Sequence, residues 1–399
     1  MSPLVIIRFL IADAYSVGGT IRATFTTAAA LAARGHEVEI VSAYRRRERP
    51  ALALDSSVRL RALTDDMRPA RSWQRWAADK PSRLIHPDDY RYPRFNTRTD
   101  VDLLRFLRSV RDGVLVGTRP GLNVALARFA RPSVVRVAQD HMNLGGYTPE
   151  LRADIATHYP RLDAVTALTQ ETAVQYADLL GGRTRVECIP NSAPAPGPLH
   201  ARPEAKVVIA AGRLNPRKAF DRLLRAWARV AHEWPDWRLD IFGTGPERDA
   251  LERLAGELGI GGSARLRGHS AKMPEELAKA SLFAMTSRRE GFPMVLLEAM
   301  SVGLPVVAYD CPTGPRDIVT DGVDGYIVPD GDTETLGAVL DRLMADEDRR
   351  RALGAAAAKK VARYQLEPLT DRWERLFEEL SAQKRAAPRP RGASARAPA

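Results

Sequence analysis

Two carboxylates, Glu290 and Glu298, stand with seven residues between them in the stretch SRREGFPMVLLEAMSVGLPVV, Ser287 to Val307. Met294, Val295, Leu296, Leu297, Ala299 and Met300 are all apolar. Pro293 suits the first position of a helix and Gly303 its stop. A helix apolar on every side is expected to be buried. An unpaired carboxylate inside it would be costly, so Glu298 needs a lysine or arginine, or hydroxyls that donate to it. Glu290 precedes the helix, beside amides that lack intrahelical acceptors and, with the helix dipole, favour an anion. Two acceptors for hydroxyls next to donors for phosphate match the groups of a nucleotide sugar. A buried ion pair with a capping acid accounts for the same segment without a ligand.

The preceding hundred residues shift that balance. The segment AAGRLNPRKAF places Arg213 and Lys218 just past a strand, where basic side chains could neutralise a diphosphate. IFGTGPER puts Gly243 and Gly245 in another strand-to-helix turn, which permits close backbone approach. The elements that must position these residues alternate twice along the chain. LVIIRFLI, the turn SVGG, the helix TIRATFTTAAALAARG and the strand HEVEIVSAY form a βαβ unit, which implies a parallel sheet with helices on its faces. VLVGT, VVRVAQ, DAVTAL and RVECIP read as further strands. NSAPAPGPLHARPEA reads as a linker. After it come KVVIAAG, WRLDIFG, ARLRG, SLFAMTS, LPVVAYD and GYIVP, interleaved with helices. Three helices close the chain, 333–346, 347–364 and 366–383. The expected fold is α/β, with two doubly wound domains at 1–191 and 206–365 facing across a cleft. The linker is 192–205, the helix 366–383 returns toward the first domain, and 384–399 is a disordered basic tail. Ligands of such folds bind at the carboxyl ends of the strands.

The second half resembles the retaining glycosyltransferases of GT-B fold, family four. The GR…K strand end, the GxGPE turn and the E-x7-E segment occur in order from Ala211 to Glu298, and GVDGYIVPDGD continues the likeness. The resemblance implies that Glu290 meets the donor sugar and Glu298 holds the ribose hydroxyls. It implies that Arg213 and Lys218 bind the diphosphate, and that Gly291 and Phe292 contact the donor through their backbone. Gly18 and Gly19 match the family's glycine pair after the first strand, near the donor phosphate and acceptor. His141, in VAQDHMNL, matches a histidine near the reacting carbon; a histidine simply packed at a strand end is the alternative. The family's glycine after the lysine is Ala219 here, which costs little at negative φ and is strained at positive φ. CPTGPRDIV and GGTIRATFTTAAALA suggest the branch that includes poly(glycerol-phosphate) α-glucosyltransferases and related envelope-glycan enzymes. In this family arginine and lysine neutralise the diphosphate. The Asp100–Asp102 and Asp330–Asp332 pairs are therefore not read as metal sites, and no cofactor is expected beyond a UDP-linked sugar as substrate.

Composition bounds the remaining possibilities. The chain has 399 residues, 45% hydrophobic and 27% charged, with no dominant low-complexity tract, which favours two folded domains. Cys188 and Cys311 are its only cysteines, so a disulfide framework is not expected and a reducing cytoplasm suits the chain. The apolar start could mimic a signal peptide, but Arg8 interrupts it and a buried first strand fits better. No apolar run is long enough to span a bilayer. Net charge is +11, of which five charges lie in the last sixteen residues. The rest is moderately basic, which suits a nucleotide diphosphate, an anionic lipid or a phosphate polymer, or an ordinary arginine-rich surface. YRRRER at Tyr44 to Arg49 and the segment Arg68 to Phe95, with Trp73, Trp76, Tyr90, Tyr92 and Phe95, could grip a phosphate polymer or lie on the inner leaflet of the plasma membrane, or form an ordinary basic surface whose aromatics are anchored in the core. Nucleic acid is the less favoured partner. The expected activity is transfer of a hexosyl unit from a nucleotide sugar to a glycan, lipid or polyol-phosphate hydroxyl with retention. A 2-epimerase of the same fold and a non-catalytic polymer-binding protein are the alternatives.

Overall fold

The computed structural model describes residues 4–386 other than 70 and 196. Two parallel sheets organise the chain. The first holds β1 (Ile6–Ile11), β2 (Glu37–Arg45), β3 (Arg59–Asp65), β4 (Val114–Gly117), β5 (Val135–Asp140), β6 (Ala164–Ala167) and β7 (Arg185–Cys188). Its order is β3-β2-β1-β4-β5-β6-β7. The second holds β8 (Val207–Ala211), β9 (Arg238–Phe242), β10 (Ala264–Gly268), β11 (Leu282–Met285), β12 (Val306–Tyr309) and β13 (Gly325–Val328), in the order β10-β9-β8-β11-β12-β13. Every pairing within the two sheets is parallel. Such strands are covered on both faces, so they read as short continuous apolar runs. Val114–Gly117, Leu282–Met285 and Val306–Tyr309 are buried at every residue.

Strand order reverses between β1 and β4 in the first sheet and between β8 and β11 in the second. The loops leaving the paired strands part there to opposite faces and leave a crevice. Gly18 and Gly19 follow β1, Arg213 and Lys218 follow β8, and Glu290, Gly291 and Phe292 follow β11. These residues therefore stand at the two switch points, while His141 follows β5 and Gly243 follows β9.

Each sheet has an apolar cluster on both faces. The cluster under β1 includes Trp373, Leu376, Phe377 and Leu380 from the last helix, which ties the C-terminal segment to the first sheet. That helix spans Leu366–Ala386, beyond the expected end at 383. The extension has a local cause: Lys384 pairs with Asp163 at 2.9 Å and donates to the Pro132 carbonyl at 2.7 Å. The disordered-tail expectation for 387–399 falls outside the described residues. The edge strand β3 was not anticipated from sequence, because its alternating exposed arginines dilute the apolar signal.

Candidate active site

A cavity of about 840 Å³ lies between the carboxyl ends of the two sheets. Gly19, His141, Arg213, Lys218, Gly243, Gly291, Phe292 and both glutamates line it. Gly18 stands one residue back, as the N-cap of the helix Gly19–Ala33. A Cβ on either glycine of that pair would meet nothing within 4 Å. No protein atom requires glycine there.

The helix in the quoted segment runs from Met294 to Ser301, with Leu296, Leu297, Ala299 and Met300 buried. Pro293 is its N-cap rather than its first residue, with ψ at 83°, outside the helical range. The amide of Met294 turns back to the Phe292 carbonyl at 2.9 Å, while those of Gly291, Phe292 and Val295 find no acceptor among the described residues. Gly291 is required: a Cβ there would sit 2.2 Å from the His141 carbonyl oxygen. This contact brings the β11 loop against the β5 loop of the other sheet. Phe292 is buried and its ring lies 6.0 Å from that of Tyr364.

The two carboxylates have different partners. Lys218 Nζ donates to Glu290 Oε1 at 2.6 Å, with the side chains only 14% and 7% exposed. Glu298 is 26% exposed and its nearest cation is Arg22, at 3.8 Å. No protein donor is within hydrogen-bond reach of its carboxylate among the described residues. Burial raises its pKa above the usual carboxylate value, and the charges of Arg22 and Lys218 partly offset that. The Glu290 carbonyl accepts from Asn143 Nδ2 at 3.1 Å and the Thr313 amide at 3.1 Å, so both halves of the chain hold this residue.

Arg213 is exposed at the cavity wall. Gly243 has φ 143°, and a Cβ there would lie 1.8 Å from the Gly212 carbonyl, so the two turns could not approach with any other residue. Ala219 follows the lysine with φ 49° and ψ 45°, the left-handed conformation, and is 1% exposed. This is the strained alternative for a non-glycine residue. It does not misplace Lys218, whose ammonium still reaches Glu290.

His141 follows Asp140 at the end of β5. Both ring nitrogens are shielded from solvent and have no hydrogen-bond partner among the described residues. Burial, with Arg119 nearby, pushes its pKa down to about 4. The imidazole is therefore neutral at physiological pH. Behind it the buried Asp140 carboxylate accepts from Tyr147 Oη at 2.5 Å and from Tyr176 Oη, which fixes the strand end.

Arg22, Asn143 and Thr244 belong to the neighbourhood but were missed in the sequence. Arg22 had a usable signal, three residues after Gly19 on the first turn of a helix that starts at the cleft. The Asp-x-Asp pairs have structural partners. Asp100 accepts from Ser82 and the Arg83 amide, Asp102 from Thr64, and Asp330 pairs with Arg222. Asp332 caps the helix Thr333–Ala345. The aromatic stretch divides: Tyr44 and Phe95 are core residues, Tyr92 packs against the core, and Trp73, Trp76 and Tyr90 are exposed. Arg45 and Arg68 are paired with Asp65, and Arg46 with Asp66.

The family model described as "Glycosyl transferases group 1" matches residues 196–360. An exopolysaccharide phosphotransferase of Streptomyces coelicolor is 36% identical over 95% of this chain, which spans only 41% of that protein. The amylovoran biosynthesis glycosyltransferase AmsD of Erwinia amylovora is 31% identical over 68% of this chain and 79% of its own length. A poly(glycerol-phosphate) alpha-glucosyltransferase of Bacillus subtilis is 29% identical over 53% of this chain and 32% of its own length. In three dimensions, TarM of S. aureus, solved as a mutant with fondaparinux, alpha-GlcNAc-glycerol and UDP, superposes with a TM-score of 0.75. That match is 14% identical and covers 94% of this chain and 100% of TarM, a likeness of fold. With two doubly wound sheets meeting at their switch points, the chain belongs to the group 1 glycosyl transferases and has the GT-B fold.

Proposed function

We propose that this chain is a retaining hexosyltransferase that uses a UDP-linked sugar and an acceptor hydroxyl of an envelope glycan, lipid or polyol phosphate. One observation carries the reading: Glu298, a half-buried carboxylate with no protein donor among the described residues, shares a cleft with the Lys218–Glu290 pair, Arg213 and amides that find no acceptor among them. Ribose hydroxyls would donate to Glu298. Arg213, Lys218 and the amides of Gly291, Phe292 and Val295 would stabilise charge as the diphosphate leaves. The bond from the anomeric carbon to the phosphate oxygen breaks, and the acceptor oxygen bonds to that carbon. The acceptor proton passes to the departing phosphate oxygen. Glu290 and Glu298 are the only carboxylates lining the cavity among the described residues, and Lys218 engages Glu290. That supports same-face attack over a double displacement. A neutral His141, whose ring nitrogens are both shielded in this conformation, would hold a sugar hydroxyl once its ring turns toward the cleft.

The relatives' names support an envelope acceptor, and the exposed Trp73, Trp76 and Tyr90 among arginines support contact with an anionic leaflet or polymer. No helix among the described residues is long and apolar enough to cross a membrane. The test is a screen of nucleotide sugars without acceptor. Slow release of free sugar from a UDP-linked donor, together with a rise in melting temperature on adding UDP, is expected. Conversion of the donor to an epimer, or no shift with any nucleotide, refutes the proposal.

A further inference from the structure

A second cavity, of about 580 Å³, opens beside the first, and Arg22 lines both. Its wall is apolar: Phe25 and Ala29 from the helix Gly19–Ala33, Leu52 and Leu54 from the loop between β2 and β3, and Leu366 from the last helix. Arg22, Phe25 and Ala29 are spaced i, i+3 and i+7, so they share one helix face. At about 1.5 Å per residue the stripe is about 10 Å long.

The groove has a direction. The helix starts at the cleft and runs back toward the amino edge of the first sheet, where Arg34 donates to the Glu367 carbonyl at 3.1 Å. The β2–β3 loop runs the same way, from Ala51, whose amide donates to the Tyr15 carbonyl, to Val58 before β3. Arg22 therefore marks the cleft end, and Leu366 and Asp55 the far end. The Arg22 side chain is 69% exposed and its only ion partner among the described residues is Glu298, at 3.8 Å. Asp55 accepts from the Ser57 amide at 2.9 Å and Ser57 Oγ at 2.6 Å, which lowers its pKa and keeps it anionic. A ligand with one anionic end and one apolar end can enter in only one sense, with its anion at Arg22 and its chain toward Leu366. The volume lies in the usual range for sites of small organic ligands, about 300–1,000 Å³.

We infer that this groove is the acceptor subsite for an anionic lipid: the phosphate rests on Arg22 at the mouth of the transfer cleft, and the alkyl or prenyl chain lies along Phe25, Ala29, Leu52 and Leu54. The inference rests on the transferase reading and narrows its acceptor to the lipid class. Because Arg22 lines both cavities, a headgroup that extends from the phosphate enters the transfer cleft, where its hydroxyl must reach past Glu298 toward Glu290 and His141.

The test is direct titration of the full chain with monomeric n-decyl phosphate, followed by calorimetry, with UDP titrated separately. Decyl phosphate is expected to bind, while inorganic phosphate and decyl maltoside bind at least tenfold more weakly. Arg22→Ala should weaken decyl phosphate binding about tenfold, as loss of a charged hydrogen bond would. Ala29→Trp, which fills the groove, and Leu54→Asp, which charges its half-buried wall, should each abolish it while UDP affinity stays within about twofold. Retained UDP binding shows that these variants fold. Decyl phosphate binding unchanged in both groove variants, or equal binding of decyl maltoside, overturns the inference. So does a dimer in solution that Ala29→Trp dissociates, since the groove would then be covered by a second copy. Failure of the wild-type chain to bind UDP strikes the transferase reading instead, and the lipid titration still decides the groove.

Discussion

Ala219→Gly tests the strain next to Lys218, the lysine paired with Glu290. At φ 49° the Ala219 Cβ crowds the following carbonyl, which costs about 1–2 kcal/mol. Glycine removes that cost. It also deletes a buried methyl worth about 0.8 kcal/mol and gives the unfolded chain extra freedom worth about 0.4–1 kcal/mol. The three terms nearly cancel, so the net change should be less than about 1 kcal/mol. The control is Ala226→Gly, in the same helix, Phe220–Ala228, and buried. That substitution loses a buried methyl and about 1 kcal/mol of helix propensity with nothing relieved, about 2 kcal/mol in all. Urea unfolding followed by tryptophan fluorescence reads both, since Trp227 is buried in that helix. Ala219→Gly should be close to wild type, Ala226→Gly clearly destabilised, and UDP affinity retained in the first. Equal destabilisation by the two glycines would refute the left-handed assignment. Ala219→Val adds a β-branched side chain at the same φ and should cost both stability and UDP affinity.

The other predictions concern charge. Lys218→Met leaves the Glu290 carboxylate buried without its cation and should destabilise by about 3 kcal/mol, most of it recovered in Lys218→Met/Glu290→Gln; thermal unfolding reads the stability of each, and transfer should be lost in both. Glu298→Ala should weaken UDP binding at least tenfold, whereas Glu290→Ala should mainly lower turnover; equal small effects in binding and rate assays would contradict the roles assigned. Because the folded-state pKa of Glu298 is raised, its proton is held more tightly in the native chain than in the unfolded one. UDP affinity should then fall as pH drops through the window just above the ordinary carboxylate value, and Glu298→Gln should flatten that dependence. His141 has the opposite linkage: its folded pKa of about 4 lies below the unfolded value, so stability is unaffected above about pH 6.5 and declines toward pH 4. The loss reaches about 3 kcal/mol at pH 4, and His141→Asn should remove it in a pH series of denaturant midpoints.

The residues most legible in the sequence are those whose local surroundings are inconsistent. Glu298 could be singled out because a carboxylate interrupts Met294–Ser301, a helix otherwise apolar on its buried face. Gly243 and Gly291 could be singled out because turns at strand ends that demand glycine imply a backbone close by, and the structure supplies the Gly212 and His141 carbonyls. Arg22 carried only its place on the first turn of a helix that starts at the cleft, and an arginine there reads as an ordinary solvated residue until Glu298 is brought within 3.8 Å from the other half of the chain. The same holds for the edge strand β3, whose exposed arginines hide its period, and for the groove, which needs three segments far apart in sequence. Tyr44 and Phe95 fall on the core-anchored side of the two readings open for that stretch. An aromatic beside arginines reads as a surface motif, but their rings meet edge-to-face at 5.4 Å within the core.

Those long-range contacts bear on how the cleft works. Glu290 belongs to the second sheet, but its carbonyl is held by Asn143 from the first and by Thr313 from the loop after β12. Gly291 rests on the His141 carbonyl, and the Gln170 amide donates to Asp317 at 2.7 Å. All but the Thr313 bond join a loop of one sheet to a loop of the other. Separation of the sheets would break them together, and would also take Arg22 away from Glu298. The position of Glu290 is therefore set by the approach of the two halves as much as by its own helix. On the proposed reading, in which Glu290 faces the sugar, the catalytic geometry would be complete only with the cleft closed, and closure would keep water from a bond it would otherwise hydrolyse.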